Sequence, residues 1–255
     1  MRIKYISDIH FEHMTKGSQM LKMIERLVPG EEEQEDEILV LAGDIGTPYK
    51  KHYRKCLEHV NKHFKKTFLL AGNHEFYGNV YTVEEIYRMI EELVKEFPNI
   101  VFLQNSSYVY EGYRFIGTIL WSHIENPTKT INDTEMIKDL TVEKYQEYHK
   151  ECIDYLTKEV EESVEPVLIL THHMPSYDLI DSIYKTDTMK PYNQWFATDM
   201  NSFLEKQKEK IKAWIYGHTH KGSEKELYGV PMLCNPQGYP GENVFTTGLK
   251  TYSLK

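Results

Sequence analysis

Short apolar runs recur along this chain, and each stops at polar residues that can bind a metal ion. Five of these runs are four or five residues long, and they lie at 3–6, 38–42, 67–71, 167–170 and 213–216. Mostly apolar runs of this length fit buried β-strands better than helices. The sequence therefore predicts five buried strands, each followed by a polar cluster at its carboxyl end.

Helical patterns separate the early runs. Apolar residues recur at helical spacing over 18–28, before Pro29-Gly30, and further helices are predicted over 49–64 and 82–97. The last of these opens with Thr82 and Glu85, the spacing of a capping box. The order β-α-β-α-β-α predicts a parallel or mixed sheet covered by helices, and ligands collect beyond the carboxyl ends of such strands.

Beyond residue 98 the sequence predicts a hairpin, a long helix and an aromatic loop. Residues 99–120 predict a hairpin in which 100–103 pairs with 113–116 around Glu111-Gly112, and a helix is predicted around 141–162. Segment 176–200 has the composition of an aromatic loop. Because the sequence contains neither a repeat nor a flexible linker, we expect one domain over residues 1–255 with an insertion or lid-like region at about 121–200.

Charge and composition restrict the partners and the location. The net charge of −9 works against sequence-independent attraction to nucleic acid or to anionic lipid, so neither is an expected partner. The chain has no run of 18 apolar residues and no signal-peptide core near Met1, so we expect a cytoplasmic protein. The acidic run 31–37 is interpreted as a solvated loop, and the three cysteines as ordinary thiols.

The polar clusters share one ligand chemistry, since they offer only oxygen and imidazole. Their candidate metal ligands are Asp8, His10, Asp44, Asn73, His172, His218 and His220. One Asp-x-His pair is weak evidence, but recurrence at five strand ends is typical of a metal site. Oxygen and imidazole ligands suit manganese, iron(II) or zinc, whereas calcium prefers mainly oxygen ligands.

These clusters, in this order, resemble the calcineurin-like metallophosphoesterase superfamily. The matching motifs are Asp8-x-His10, Gly43-Asp44, Gly72-Asn73-His74-Glu75, His172 and Gly217-His218-x-His220. The resemblance implies an α/β fold of two packed mixed β-sheets flanked by helices, a four-layer sandwich. It also implies a two-metal phosphoesterase in which one divalent ion is held by Asp8, His10 and His220, the second by Asn73, His172 and His218, and both by Asp44.

In such a site the metals supply most of the chemistry. Two divalent ions about 3.5–4 Å apart share a bridging water, lower its pKa to give a hydroxide, and stabilise the attacking and leaving oxygens. His74 matches the family's general acid, which gives the leaving oxygen its proton. The alternative is that His74 only fills space beside the ligands.

Two features of the motifs narrow the assignment. In the phosphoprotein phosphatase branch the second motif continues Gly-Asp-x-x-Asp-Arg-Gly and supplies an Asp that orients the acid histidine and an Arg that grips phosphate. Here 43–49 lacks both residues, which argues against that branch. The fourth motif offers both His172 and His173, and alignment with the family's histidine-and-proline loop favours the first.

The leading functional hypothesis is hydrolysis of a small phosphomonoester or phosphodiester. Metal-dependent nuclease and non-catalytic scaffold are the alternatives; net charge −9 speaks against the nuclease, and the complete ligand set speaks against the scaffold. Loops 121–130 and 176–200 are predicted to form an aromatic lid over the substrate. The substrate contacts expected there are Trp121, His123 and Trp195, with Tyr177, Tyr184 and Tyr192 as further lid residues.

Overall fold

The fold is known from a computed structural model that describes residues 1–28, 37–127, 130–242 and 248–254. The predicted stop at Pro29-Gly30 and nearly all of the acidic run 31–37 lie outside the described residues. Among the described helices, none combines the length and the apolar character that a membrane span requires.

Two mixed β-sheets form the centre of the fold. The first has five strands in the order β11-β1-β2-β3-β4, with β1 to β4 parallel and β11 antiparallel. Its strands are β1 (Arg2–Ile6), β2 (Glu37–Ala42), β3 (Lys66–Leu70), β4 (Ile100–Phe102) and β11 (Lys250–Ser253). All five strands that the apolar runs predict are present, three of them in this sheet and two in the other.

The second sheet has six strands in the order β5-β6-β7-β8-β10-β9. Its four inner strands are parallel, and the two edge strands β5 and β9 run antiparallel to their neighbours. The strands are β5 (Ser106–Tyr110), β6 (Tyr113–Thr118), β7 (Val167–Thr171), β8 (Ile211–Tyr216), β9 (Ser223–Leu227) and β10 (Val230–Cys234).

Helices cover the outer faces of the two sheets. They are α1 (Gly17–Glu25), α2 (Lys51–His63), α3 (Val83–Val94), α4 (Asp133–Met136), α5 (Val142–Glu162) and α6 (Asn201–Gln207). The capping box at the start of α3 is confirmed, because Thr82 and Glu85 each accept a hydrogen bond from the other's backbone N–H.

The core lies in three apolar clusters, one between the sheets and one outside each. In the central cluster Phe68 of β3 stacks on Phe115 of β6 with ring centroids 4.1 Å apart. Both rings are fully buried, which is worth roughly 1.5–3 kcal/mol for each side chain. Helix, sheet, sheet and helix thus form the four layers, and the expected fold class is confirmed.

Two sequence-based expectations need correction. The predicted pairing of 100–103 with 113–116 is wrong, because β4 joins the first sheet and the hairpin is formed by β5 and β6 around Glu111-Gly112. The region 121–200 is also more than an insertion, since it contributes α5 and β7, and β7 pairs with both β6 and β8 in the second sheet.

Candidate metal centre

The strand ends place the predicted ligands through sharp backbone turns. Asp8, His10, Asp44 and His218 all have a positive φ, at 53°, 53°, 53° and 66°. Non-glycine residues rarely adopt this left-handed region, and such strain concentrates at functional sites. The turns bend the chain back immediately after β1, β2 and β8, so the side chains of three strands point to one place.

Two glycines allow these loops to approach closely. A Cβ added to Gly72 would lie 2.2 Å from Asp44 Oδ1 and 2.6 Å from His172 Nε2, and one added to Gly43 would lie 2.5 Å from His172 Nδ1. Those distances are far shorter than real atoms tolerate. Only glycine therefore lets the loops after β2 and β3 close around His172.

The first ligand group contains Asp8, His10 and His220, whose ligand atoms lie within 4.8 Å of one another. The Nδ1 atoms of His10 and His220 lie 2.9 Å from Glu12 Oε1 and 2.6 Å from Glu242 Oε2. Carboxylates only accept, so each Nδ1 carries hydrogen and each Nε2 keeps a lone pair. The two Nε2 atoms lie 3.0 Å apart, so their lone pairs would repel each other unless a proton or a cation lies between them.

The second group joins His172 and His218 to the Asn73 side chain. His172 Nδ1 donates to the backbone oxygen of Ala42 at 2.9 Å, which leaves Nε2 to bind either a cation or a proton. That Nε2 lies 3.1 Å from Asn73 Oδ1 and 3.3 Å from Asp44 Oδ2, both of which are acceptors. His218 Nδ1 approaches the same Asn73 oxygen at 3.1 Å. The crowded acceptors fit a bound divalent cation.

Asp44 lies between the two groups. Its Oδ2 is 3.3 Å from His172 Nε2 in the second group and 3.7 Å from His10 Nε2 in the first. Its Oδ1 accepts a hydrogen bond of 2.8 Å from the backbone N–H of His74, and the side chain is fully buried. This is the position from which one carboxylate can contact two cations.

When no metal is bound, a proton on His172 supplies the positive charge beside the buried carboxylates. Burial lowers the pKa of His172, but the carboxylates of Asp44 and Asp8 outweigh it and raise that pKa to about 9. Burial alone would raise the pKa of Asp44. The nearby His172 outweighs that effect and holds the pKa of Asp44 well below its usual value. A metal must displace the proton from an imidazole ligand, so its binding weakens at acid pH.

His74 is held at the rim of this centre by three neighbours. Its Nδ1 lies 3.0 Å from Glu12 Oε1, its ring stacks on Tyr77 at 4.0 Å, and its Nε2 lies 3.2 Å from the Tyr239 hydroxyl. Burial lowers the pKa of His74, but Asp44 and Glu12 raise it to about 9. Near neutral pH the His74 ring is therefore a positively charged imidazolium with a proton on each nitrogen. His74 also lines the cavity beside the ligands.

Besides Glu242, three carboxylates support the site without being predicted to do so. Glu12 holds both His10 and His74, Asp133 accepts from the Asn73 amide, and Glu75 accepts from the backbone N–H groups of Gly72, Asp44 and Ile45 at 2.7–2.9 Å. Glu75 is the last residue of the motif at 72–75 and Glu12 lies two residues after His10, so their positions in the sequence were the available signal. Asp133 lies in a polar stretch with no signal of this kind.

The ring of the second histidine of the fourth motif lies 4.2 Å from that of His218, but its nitrogens bond to other residues. His173 is fully buried, with Nε2 3.3 Å from the Tyr145 hydroxyl and Nδ1 3.2 Å from the backbone oxygen of Ile119. Burial and His172 keep the pKa of His173 well below its usual value. Both ring nitrogens are occupied away from the ligand groups, which supports the choice of His172.

The predicted substrate contacts need correction. Trp121 and Trp195 have no exposed surface and pack in the core against Tyr145, so the prediction that they touch substrate is wrong. His123 lies on another cavity, beside Glu143 and His149. Bulky aromatic side chains suit a core as well as a lid, and only the three-dimensional structure separates the two roles.

A cavity of about 440 Å³ opens directly onto the centre. Its lining includes Asp44, Asn73, His74, His218 and His220. Of the expected lid residues, Tyr184 and Tyr192 line it, whereas Tyr177 is not among its lining residues. The volume lies in the range of pockets that hold small organic molecules.

Comparisons with known proteins find a family model and a relative that match by sequence. Residues 1–222 match the family model described as calcineurin-like phosphoesterase. An uncharacterized protein of Acanthamoeba polyphaga mimivirus is 30% identical over 267 positions, which cover 95% of this chain and 93% of that protein.

Solved structures share the fold at low sequence identity. The phosphopantetheinyl hydrolase of Mycobacterium tuberculosis is similar with a TM-score of 0.76 and 16% identity, over 99% of this chain and 96% of that chain. A protein of Thermus thermophilus is similar with a TM-score of 0.59 and 12% identity, over 100% and 99% of the two chains.

Proposed function

The chain belongs to the calcineurin-like phosphoesterase family, and we propose that it hydrolyses a small organic phosphoester with two divalent cations held side by side. As a member of that family it is a metal-dependent phosphoester hydrolase. The number of cations, their ligands and the size of the substrate are the parts that we propose.

One observation carries the proposal, namely that two groups of crowded acceptors share Asp44 between them. Asp8, His10 and His220 would hold one cation, and Asn73, His172 and His218 the other, with Asp44 contacting both. Manganese, iron(II) and zinc suit this mixture of oxygen and imidazole ligands. When bound, such a pair acidifies water and neutralises charge on the phosphoryl oxygens.

His74 would donate the proton that the leaving oxygen needs. Its ring lies beside the ligands on the cavity wall, and the carboxylate of Glu12 binds Nδ1 at 3.0 Å, which leaves Nε2 as the donating atom. Glu12 thus supplies the orienting carboxylate that the motif at 43–49 lacks. General-acid groups of this kind contribute roughly 10²–10⁴-fold to the rate.

The cavity supports a small substrate. Its volume of about 440 Å³ suits a molecule of a few tens of atoms rather than a folded phosphoprotein. The net charge of −9 argues against a nucleic-acid substrate, and the convergence of all seven predicted ligands argues against a scaffold without activity.

The test measures metal content and hydrolysis together. The full chain is stripped with a chelator, reloaded with manganese, iron(II) or zinc, and assayed on 4-nitrophenyl phosphate and bis(4-nitrophenyl) phosphate. We expect two metal ions per chain and activity only after reloading.

The variant Asp44→Asn tests whether Asp44 contacts both cations, because the amide would remove negative charge from both metal sites at once. We expect fewer than two metals per chain and loss of nearly all turnover. Asp139→Asn, which changes an exposed carboxylate, is the matched control and should behave like the wild type. Full occupancy and near wild-type turnover in Asp44→Asn would contradict the shared-ligand arrangement.

A further inference from the structure

The cavity continues past the metal ligands along a surface of apolar and aromatic side chains, here called the apolar wall. Its members are Met174, Ile180, Tyr184, Met189, Tyr192 and Phe196. They come from the loop after β7 and from the segment 180–196, whereas the opposite side of the cavity is formed by the ligand residues. One cavity therefore offers a charged half and an apolar half.

The apolar wall begins at the ligands themselves. The ring of Phe196 lies over the ring of His218 at 4.7 Å, with 36° between their planes. Met174 follows the ligand His172 by two residues and lines the same cavity. An organic group attached to a phosphoryl group at the centre would therefore lie in the same cavity as this wall.

Hydrogen bonds hold the apolar wall in place. Met174 donates its backbone N–H to Phe196 at 3.1 Å and accepts from Thr198 at 3.0 Å, which ties the segment to the end of β7. The side-chain amide of Asn193 donates to the backbone oxygen of Tyr184 at 3.0 Å. A wall that is already ordered needs little reorganisation when a ligand binds.

Packing alone does not account for four of these side chains, although Met174 and Ile180 are buried. Tyr184, Met189, Tyr192 and Phe196 keep part of their surface exposed on the cavity, whereas the core residue Trp195 in the same segment is fully buried. Apolar surface left in contact with water gains free energy when a ligand covers it. Tyrosine rings and methionine sulfur both favour an aromatic partner.

We propose that the apolar wall is a binding subsite for an aromatic or similarly flat, apolar organic group on the phosphoester. The inference rests on the proposed function, since the phosphoryl group must lie at the metal centre. It adds the chemistry of the organic group and names the residues that select it.

The experiment compares methylphosphonate with phenylphosphonate as ligands of the metal-loaded full chain, measured by isothermal titration calorimetry. Methylphosphonate tests the metal centre alone, and phenylphosphonate adds one flat ring. Burying a group of that size is expected to tighten binding roughly 10- to 100-fold. Equal affinities would overturn the subsite and leave the proposed function standing, whereas failure of both ligands to bind would overturn the proposed function as well.

Two variants assign the effect to the wall. Tyr192→Ala and Tyr184→Ala remove half-exposed rings, and either should bring the ratio of the two affinities closer to one. Tyr177→Ala is the matched control, because Tyr177 is an exposed tyrosine just before the segment 180–196 and does not line the cavity. A ratio that stays at the wild-type value in both wall variants would overturn the assignment.

Discussion

Replacing Asp133 by Asn should weaken the binding of one cation far more than that of the other. Asp133 is fully buried, and its Oδ1 accepts from Asn73 Nδ2 at 2.8 Å and from the Tyr77 hydroxyl at 2.5 Å. Because the bond to Asp133 uses the amide nitrogen, it turns Asn73 Oδ1 towards His172 and His218. Asp133 thereby positions one ligand of the second group without touching the metal site itself.

The size of the effect follows from these bonds. A hydrogen bond to a charged group contributes about 1.5–3 kcal/mol, and a neutral one about 0.5–1.5 kcal/mol. Losing the charge at position 133 should therefore cost roughly 1–1.5 kcal/mol in the orientation of Asn73, or about tenfold in affinity. Replacing a residue that hydrogen-bonds to a metal ligand typically lowers the affinity for the metal about 10- to 100-fold.

The assay is a manganese titration against a competing chelator, fitted to two sites. It is run at pH 8, because burial raises the pKa of Asp133 in spite of the hydrogen bonds from Tyr77 and Asn73. We expect the affinity of one site to fall about tenfold and that of the other to stay within twofold. Asp139→Asn, an exposed carboxylate in the same stretch, is the control.

A general loss of folding would look different. The metal-free protein should lose no more than the roughly 1–1.5 kcal/mol of the weakened hydrogen bond, so its thermal midpoint should fall by only a few degrees. Two unchanged affinities in Asp133→Asn, or two equally reduced ones, would refute a specific link from Asp133 through Asn73 to one cation.

Four further substitutions test individual roles. His74→Ala should slow hydrolysis of esters with poor leaving groups roughly 10²–10⁴-fold and that of nitrophenyl esters much less, and a ratio independent of the leaving group would assign His74 a structural role. Glu12→Gln should slow hydrolysis of esters with poor leaving groups about 10-fold, because it weakens the hydrogen bond that orients the His74 imidazole. An unchanged kcat would exclude an orienting role for Glu12. His172→Ala should lose metal binding and activity while His173→Ala keeps its metal stoichiometry, and the reverse result would shift the ligand by one residue.

The five buried strands and the positions of the candidate ligands at their ends could be predicted from the sequence because both depend on local patterns. An apolar run of four or five residues identifies a strand wherever that strand pairs, and a motif such as Gly217-His218-x-His220 keeps its spacing in any fold. The capping box at Thr82 is confirmed for the same reason, since its hydrogen bonds span only three residues. Recurrence at several strand ends then indicated that the polar clusters would meet.

Contacts between distant parts of the chain were decided only by the tertiary structure. Glu12 and His74 are 62 residues apart, and Asn73 and Asp133 are 60 apart, so no local pattern links either pair. The pairing of β4 with β3 rather than β6, and the burial of Trp121 and Trp195, likewise depend on which surfaces face each other. Apolar burial has no direction of its own, so an aromatic residue serves a core or a cavity equally well until the surrounding elements are in place.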